Sequence, residues 1–89
     1  MHVPTPYTSI NAKAKGGTPM TTQQLRLHVG TKINQARLDH GMSLEHVAQE
    51  LDVTPDYLTI LERGERGTTL LTLLTLSDIY DCTVDSFLR

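Results

Sequence analysis

The chain has 89 residues, 38% of them hydrophobic and 20% charged, with a formal net charge of −2. That length holds one domain and leaves no room for a catalytic domain beside a binding module. The single cysteine, Cys82, excludes an internal disulfide framework and a cysteine-rich zinc site. No apolar run reaches the roughly 18 residues of a membrane span, and the N-terminus lacks the apolar stretch of a signal peptide, so a soluble, intracellular protein is expected.

Residues 1–21 hold Pro4, Pro6, Gly16, Gly17 and Pro19 among threonines and short polar residues, without an apolar period. They are predicted to be a flexible basic N-terminal arm, with the folded domain over 22–89; Met20 offers an alternative start. Leu25, Val29, Ile33 and Ala36 then recur at helical spacing and predict a first helix over about 22–40, stopped by Gly41. Gly30 lies inside it at a cost in helix propensity. Ser43 offers an N-cap oxygen to a second helix, 44–51, whose inner side carries Val47, Ala48 and Leu51. Asp52 and Val53 form a tight turn. Thr54 caps a third helix with Pro55 at its first position, where a missing N–H does no harm, and this helix ends at about Arg63, before Gly64. The loop from Glu65 to Thr68 leads to a fourth helix, Leu70 to Tyr80, and Thr83 caps a last short one holding Val84, Phe87 and Leu88. Five short helices, no strand pattern and no internal repeat predict an all-α fold.

Charge divides the chain. All ten carboxylates lie between Asp39 and Asp85. Residues 1–28 carry Lys13, Lys15 and Arg26 and no acid, a formal +3, whereas residues 29–89 carry five basic residues against ten acids, a formal −5. The result is a basic tail on an acidic body.

Across residues 44–63, Val47 precedes the small Ala48, Leu51 and Val53 bracket a turn, and Leu58 and Leu61 follow where a third helix packs back on the second. Ala48 suits a close helix crossing that a larger side chain would force apart. Together with Ile33-Asn-Gln-Ala-Arg37, Leu58-Thr-Ile-Leu-Glu-Arg-Gly64 and the Thr83-Val-Asp-Ser-Phe-Leu88 ending, these residues resemble the lambda-repressor-like (Cro/XRE) family of helix-turn-helix DNA-binding domains. The resemblance runs from about Val29 to Leu88. It implies a transcriptional regulator that lays its third helix in the major groove of operator DNA as a homodimer, in a cytoplasmic, bacterial or phage setting. It also implies that Arg37 and Glu62 pair, tying the first helix to the end of the third.

With Leu58 pointing inward, steps of about 100° per residue put Asp56, Thr59, Ile60 and Arg63 on the outer face of the third helix, and Glu62 towards the core. The candidate DNA-binding residues are Lys32, Ser43, Thr54, Pro55, Asp56, Thr59, Ile60, Arg63 and Arg66, with Lys13 and Lys15 in the arm. Thr59 and Ile60 suit a thymine methyl. Asp56 suits either a cytosine amino group or the dipole of its own helix. The outer face has no Arg, Lys, Gln or Asn before Arg63, and the family's common glutamine at the start of the second helix is Leu44 here. A body of formal charge −5 also opposes a polyanion, so a second reading stands beside the first: a protein-interaction module of the same fold that modulates a second regulatory protein.

On the fourth helix, Leu70, Leu73, Leu76, Ser77 and Tyr80 share the inward side, while Leu71 and Leu74 fall on the flank with Asp78. Leu71, Leu74, Asp78, Phe87 and Leu88 are the expected dimer surface. His2, His28, His40 and His46 show no ligand spacing with one another or with Cys82, and neither a glycine-rich phosphate loop nor a nucleophile–base pairing occurs. A non-enzyme without metal or cofactor is expected. With no sensor domain after Leu88, any signal is expected to come from a partner, from concentration or from the arm.

Overall fold

The computed structural model describes residues 20–89, all five of whose helices fall close to the predicted boundaries. Lys13, Lys15 and all but the end of the expected arm lie outside the described residues. The helices are α1 (Thr22–Asp39), α2 (Leu44–Leu51), α3 (Pro55–Glu62), α4 (Leu70–Ile79) and α5 (Asp85–Leu88).

Side-chain hydroxyls start the first four helices. Ser43, Thr54 and Thr69 accept from the backbone N–H groups of His46, Tyr57 and Thr72 at 3.0, 3.1 and 3.1 Å. Each satisfies one of the donors that an α-helix leaves unpaired at its beginning. Thr21 goes further and forms a capping box with Gln24. Its hydroxyl accepts from Gln24 N at 3.0 Å while its own N–H donates to Gln24 Oε1 at 2.9 Å. The Thr83 hydroxyl accepts from Ser86 N at 3.3 Å, just ahead of α5.

The same four helices end alike, each with a residue in the left-handed region and a pair of tightening hydrogen bonds. At the end of α1, Gly41 N–H donates to Leu38 O and Met42 N–H to Arg37 O; at the end of α3, Gly64 and Glu65 donate to Leu61 and Ile60. This is the Schellman arrangement, which glycine enters without a Cβ penalty. At the ends of α2 and α4 the left-handed residues are Asp52 (φ 61°) and Asp81 (φ 50°). Aspartate is one of the few residues with a side chain that visits this region routinely.

The core is built from one side of every helix: Val29 and Ile33 from α1, Val47 and Ala48 from α2, Leu58 and Leu61 from α3, Leu73 and Leu76 from α4, Phe87 from α5, with Tyr80 just after α4. Ala36, Leu51 and Val53 pack against its edge. Leu25 and Leu70, which their spacing puts on inward stripes, are both exposed. Each lies in the first turn of its helix, beyond the end of the core towards which its stripe points.

Tyr80 is buried beside the ring of His40. Burial pushes its phenol up to about 12, with the charge of Glu62 adding to the effect. An unfolded tyrosine loses its proton near 10. Below that pH both states hold the proton and the group has no effect. Between about 10 and 12 the unfolded chain ionises first, so stability falls as pH rises through that window. Alkaline unfolding followed by circular dichroism should show this component in the wild type and lack it in Tyr80→Phe.

Candidate nucleic-acid interface

Two backbone-to-backbone contacts bring α3 against α1. A Cβ added to Gly30 would sit 2.5 Å from Leu61 O, 2.7 Å from Glu62 O and 2.9 Å from Gly64 N. A Cβ on Gly64, at φ 71°, would sit 2.6 Å from Leu27 Cα. No side chain larger than hydrogen fits at either surface. The middle of α1 therefore lies directly on the end of α3, and the glycine that weakens α1 as an isolated helix is what permits the contact.

An ion pair sits next to this contact. Arg37 Nε donates to Glu62 Oε2 at 2.8 Å, and a second guanidinium nitrogen donates to Glu62 Oε1 at 3.1 Å. The two side chains are 15% and 6% exposed. The remaining guanidinium nitrogen donates to Met42 O, and the Asn34 amide donates to Glu62 Oε1 at 2.8 Å. The hydrogen bond that Arg37 donates to Glu62 holds the Arg37 pKa above its usual value. This two-pronged geometry fixes direction as well as distance, so Arg37 is committed to holding α3 and is not free for a ligand. Asn34 is a member of this network that the sequence reading did not single out, although its position three residues before Arg37 puts both on one face of α1.

With its inner side and its end held in this way, α3 presents the rest to solvent. Asp56 and Arg63 are exposed, and Pro55, Thr59 and Ile60 are partly so. Thr59 and Arg63 line one open groove with Leu44, at the start of α2, and with Thr31 and Asn34 of α1. The capping hydroxyls of Ser43 and Thr54 already accept one backbone hydrogen bond each. Arg66 is exposed in the loop after α3, Lys32 is partly buried on α1, and Arg63 lies 3.9 Å from Glu65. Leu44 packs partly against the core, which accounts for an apolar residue at the first position of α2.

Away from this face, Leu71, Leu74 and Leu88 are 74%, 49% and 47% exposed, and Asp78 is exposed beside them in sequence. Phe87 is different. It is 1% exposed and packs in the core, so it leaves the expected dimer surface. In a helix as short as α5, one large side chain must anchor the element, and Phe87 does so while Leu88 faces out. Among the described residues no group of His, Cys, Asp and Glu side chains is placed to hold a metal ion, and no helix is long and apolar enough to cross a membrane.

Two short helices joined at a left-handed turn, the second laid over a supporting helix with its outer face open, define a helix-turn-helix domain. A family model described as helix-turn-helix matches residues 33–87, and the chain belongs to that lambda-repressor-like family of DNA-binding domains. It is 31% identical over 55 residues to the HTH-type transcriptional regulator RamB of Mycobacterium tuberculosis, a match that covers 62% of this chain and 12% of that protein. The chain thus spans about an eighth of the curated relative it matches. Among solved structures it is similar to the clp gene regulator ClgR of Corynebacterium glutamicum, with 30% identity and a TM-score of 0.69 over 72% of this chain and 68% of that one. It is also similar to the DNA-binding domain of BldD, with 25% identity and a TM-score of 0.68 over 78% of this chain and all of that one.

Proposed function

We propose that this chain is a bacterial, cytoplasmic transcriptional regulator that binds operator DNA as a homodimer, with α3 in the major groove. The observation that carries this reading is the open face of α3. The helix is fixed from behind by Gly30, Gly64 and the Arg37–Glu62 pair, while Thr59 and Arg63 share an open groove with the start of α2. Family domains use that side, resting the second helix on the phosphate backbone and reading bases with the third. RamB and ClgR are named as regulators, and the BldD domain as DNA-binding, which supports the same conclusion.

In this reading Pro55, Asp56, Thr59 and Ile60 face base edges. Lys32, Arg63 and Arg66, with the capped helix starts at Ser43 and Thr54, face phosphates; Lys13 and Lys15 add charge from the arm. The exposed Leu71, Leu74 and Leu88, with Asp78 at their margin, form the contact between copies. A two-fold dimer spaces its recognition helices about one DNA turn apart, roughly 34 Å, and selects a palindromic site.

The test is selection from a random duplex library at near-physiological salt, followed by titration of the recovered duplex. Affinity should fall steeply as salt rises. Arg63→Ala should weaken binding about tenfold, the effect of losing one good contact worth ~1.4 kcal/mol, and leave the dimer intact. Leu71→Asp should dissociate the dimer.

A second reading, a module that binds another regulatory protein, is favoured by two observations. Residues 20–89 carry six basic residues against ten acids, a formal −4, and Leu70, Leu71 and Leu74 stand exposed on α4. Failure to recover any duplex, with Arg63→Ala silent and Leu71→Asp abolishing a protein complex, would select it.

A further inference from the structure

The outer face of α3 is chemically unusual for a helix that reads bases. Arginine or lysine on guanine and asparagine or glutamine on adenine make the common bidentate contacts, and none of these residues occurs between Pro55 and Glu62. The apolar groups on this face are therefore the ones to explain. Ile60 is partly exposed and is not among the side chains that pack against the core. Pro55 is partly exposed and has no N–H to offer. Thr59 has its hydroxyl committed, because Oγ1 donates to Pro55 O at 3.1 Å inside the same helix. To donate to a base it would have to give that bond up. What it offers without rearrangement is a methyl group and an oxygen that accepts.

Asp56, one turn before Ile60, is exposed and can only accept while ionised. Its charge disfavours the acceptor edge of guanine, which presents N7 and O6 to the major groove. Thymine differs from the other bases in exposing a C5 methyl there. A surface of two apolar side chains and a threonine methyl, flanked by an acceptor and with the guanidinium of Arg63 only past the end of the helix, is matched to that group.

We infer that α3 recognises its operator through thymine methyl groups, with Thr59 and Ile60 as the residues that set specificity and no bidentate base contact. The inference rests on the DNA-binding reading above. It predicts sites with thymine at the positions under α3, whose discrimination comes from burying methyl groups.

Exchanging deoxythymidine for deoxyuridine removes only the C5 methyl and leaves every hydrogen-bonding edge in place. The duplex recovered by selection is made in its thymine form and with single uracil exchanges along each half-site, and binding to the full chain is measured by fluorescence anisotropy. At one or two positions in each half-site the exchange should lower affinity about fourfold per methyl, the equivalent of ~0.8 kcal/mol for one buried carbon. Ile60→Ala and Thr59→Ser, which keeps the hydroxyl and its bond to Pro55 O, should each lose that preference at one position, binding the thymine and uracil duplexes alike there. Equal binding of thymine and uracil duplexes by the wild type, with both preferred over scrambled DNA, would overturn the inference and leave DNA binding standing. Absence of preference for any duplex would overturn both.

Discussion

Replacing Glu62 by alanine is expected to cost about 3–5 kcal/mol of folding stability, the usual consequence of stripping one partner from a buried ion pair. Glu62 accepts two hydrogen bonds from Arg37 and one from Asn34. Without it the guanidinium keeps only Met42 O, and the amide loses its bond to α3. Both ions are largely shielded from water, so little screening softens the loss. The structured residues can supply only about 4–10 kcal/mol in total by the usual figure per residue, so Glu62→Ala should populate the unfolded state measurably at room temperature. Chemical denaturation should show a lower midpoint at an unchanged slope. Glu62→Gln, which keeps an acceptor in place, should lose less. A Glu62→Ala variant within about 1 kcal/mol of wild type would show that the pair does not hold α3.

Gly30→Ala should also be damaging, against the direction that helix propensity alone would give. On an isolated helix the change is favourable by about 1 kcal/mol. In this fold the new methyl meets three backbone atoms at 2.5 to 2.9 Å, none of which can turn away as a side-chain tip would. Overpacking of this kind costs about 1–3 kcal/mol or more, and relief requires α1 and α3 to separate. Gly41→Ala is the informative comparison. Gly41 has φ 64° and open space where a Cβ would go, so only the left-handed penalty of about 1–2 kcal/mol applies there. Thermal melts of both variants should rank Gly30→Ala below Gly41→Ala, and its binding to the selected duplex should fall with the displaced α3.

The helices were legible in the sequence because their ends are marked. Ser43 and Thr54 cap starts, Gly41 and Gly64 mark stops, and the inward positions Val47, Ala48, Leu58 and Leu61 recur at helical spacing. Gly30 was legible only as a fault in α1, since its role depends on a carbonyl from a helix some thirty residues away. Asp52 was read as part of a tight turn, but the left-handed backbone at Asp52 and Asp81 was not legible, because nothing in composition separates a left-handed aspartate from a surface one. Phe87 was misplaced on the interface for a related reason. A four-residue helix has too few positions to define an inner face, so periodicity could not tell Phe87 from Leu88. The outward set on α3 followed from one angle, that of Leu58, and its residue types were plain. That the Thr59 hydroxyl is already spent on Pro55 O could be seen only in three dimensions.

The most direct measurement is amide mapping by nuclear magnetic resonance as the selected duplex is added to the protein. The account predicts the largest shifts at Ser43 to His46 and at Asp56 to Arg63, with Leu71 and Leu74 little changed. Shifts concentrated in α4 and α5, with α3 unperturbed by DNA, would contradict it.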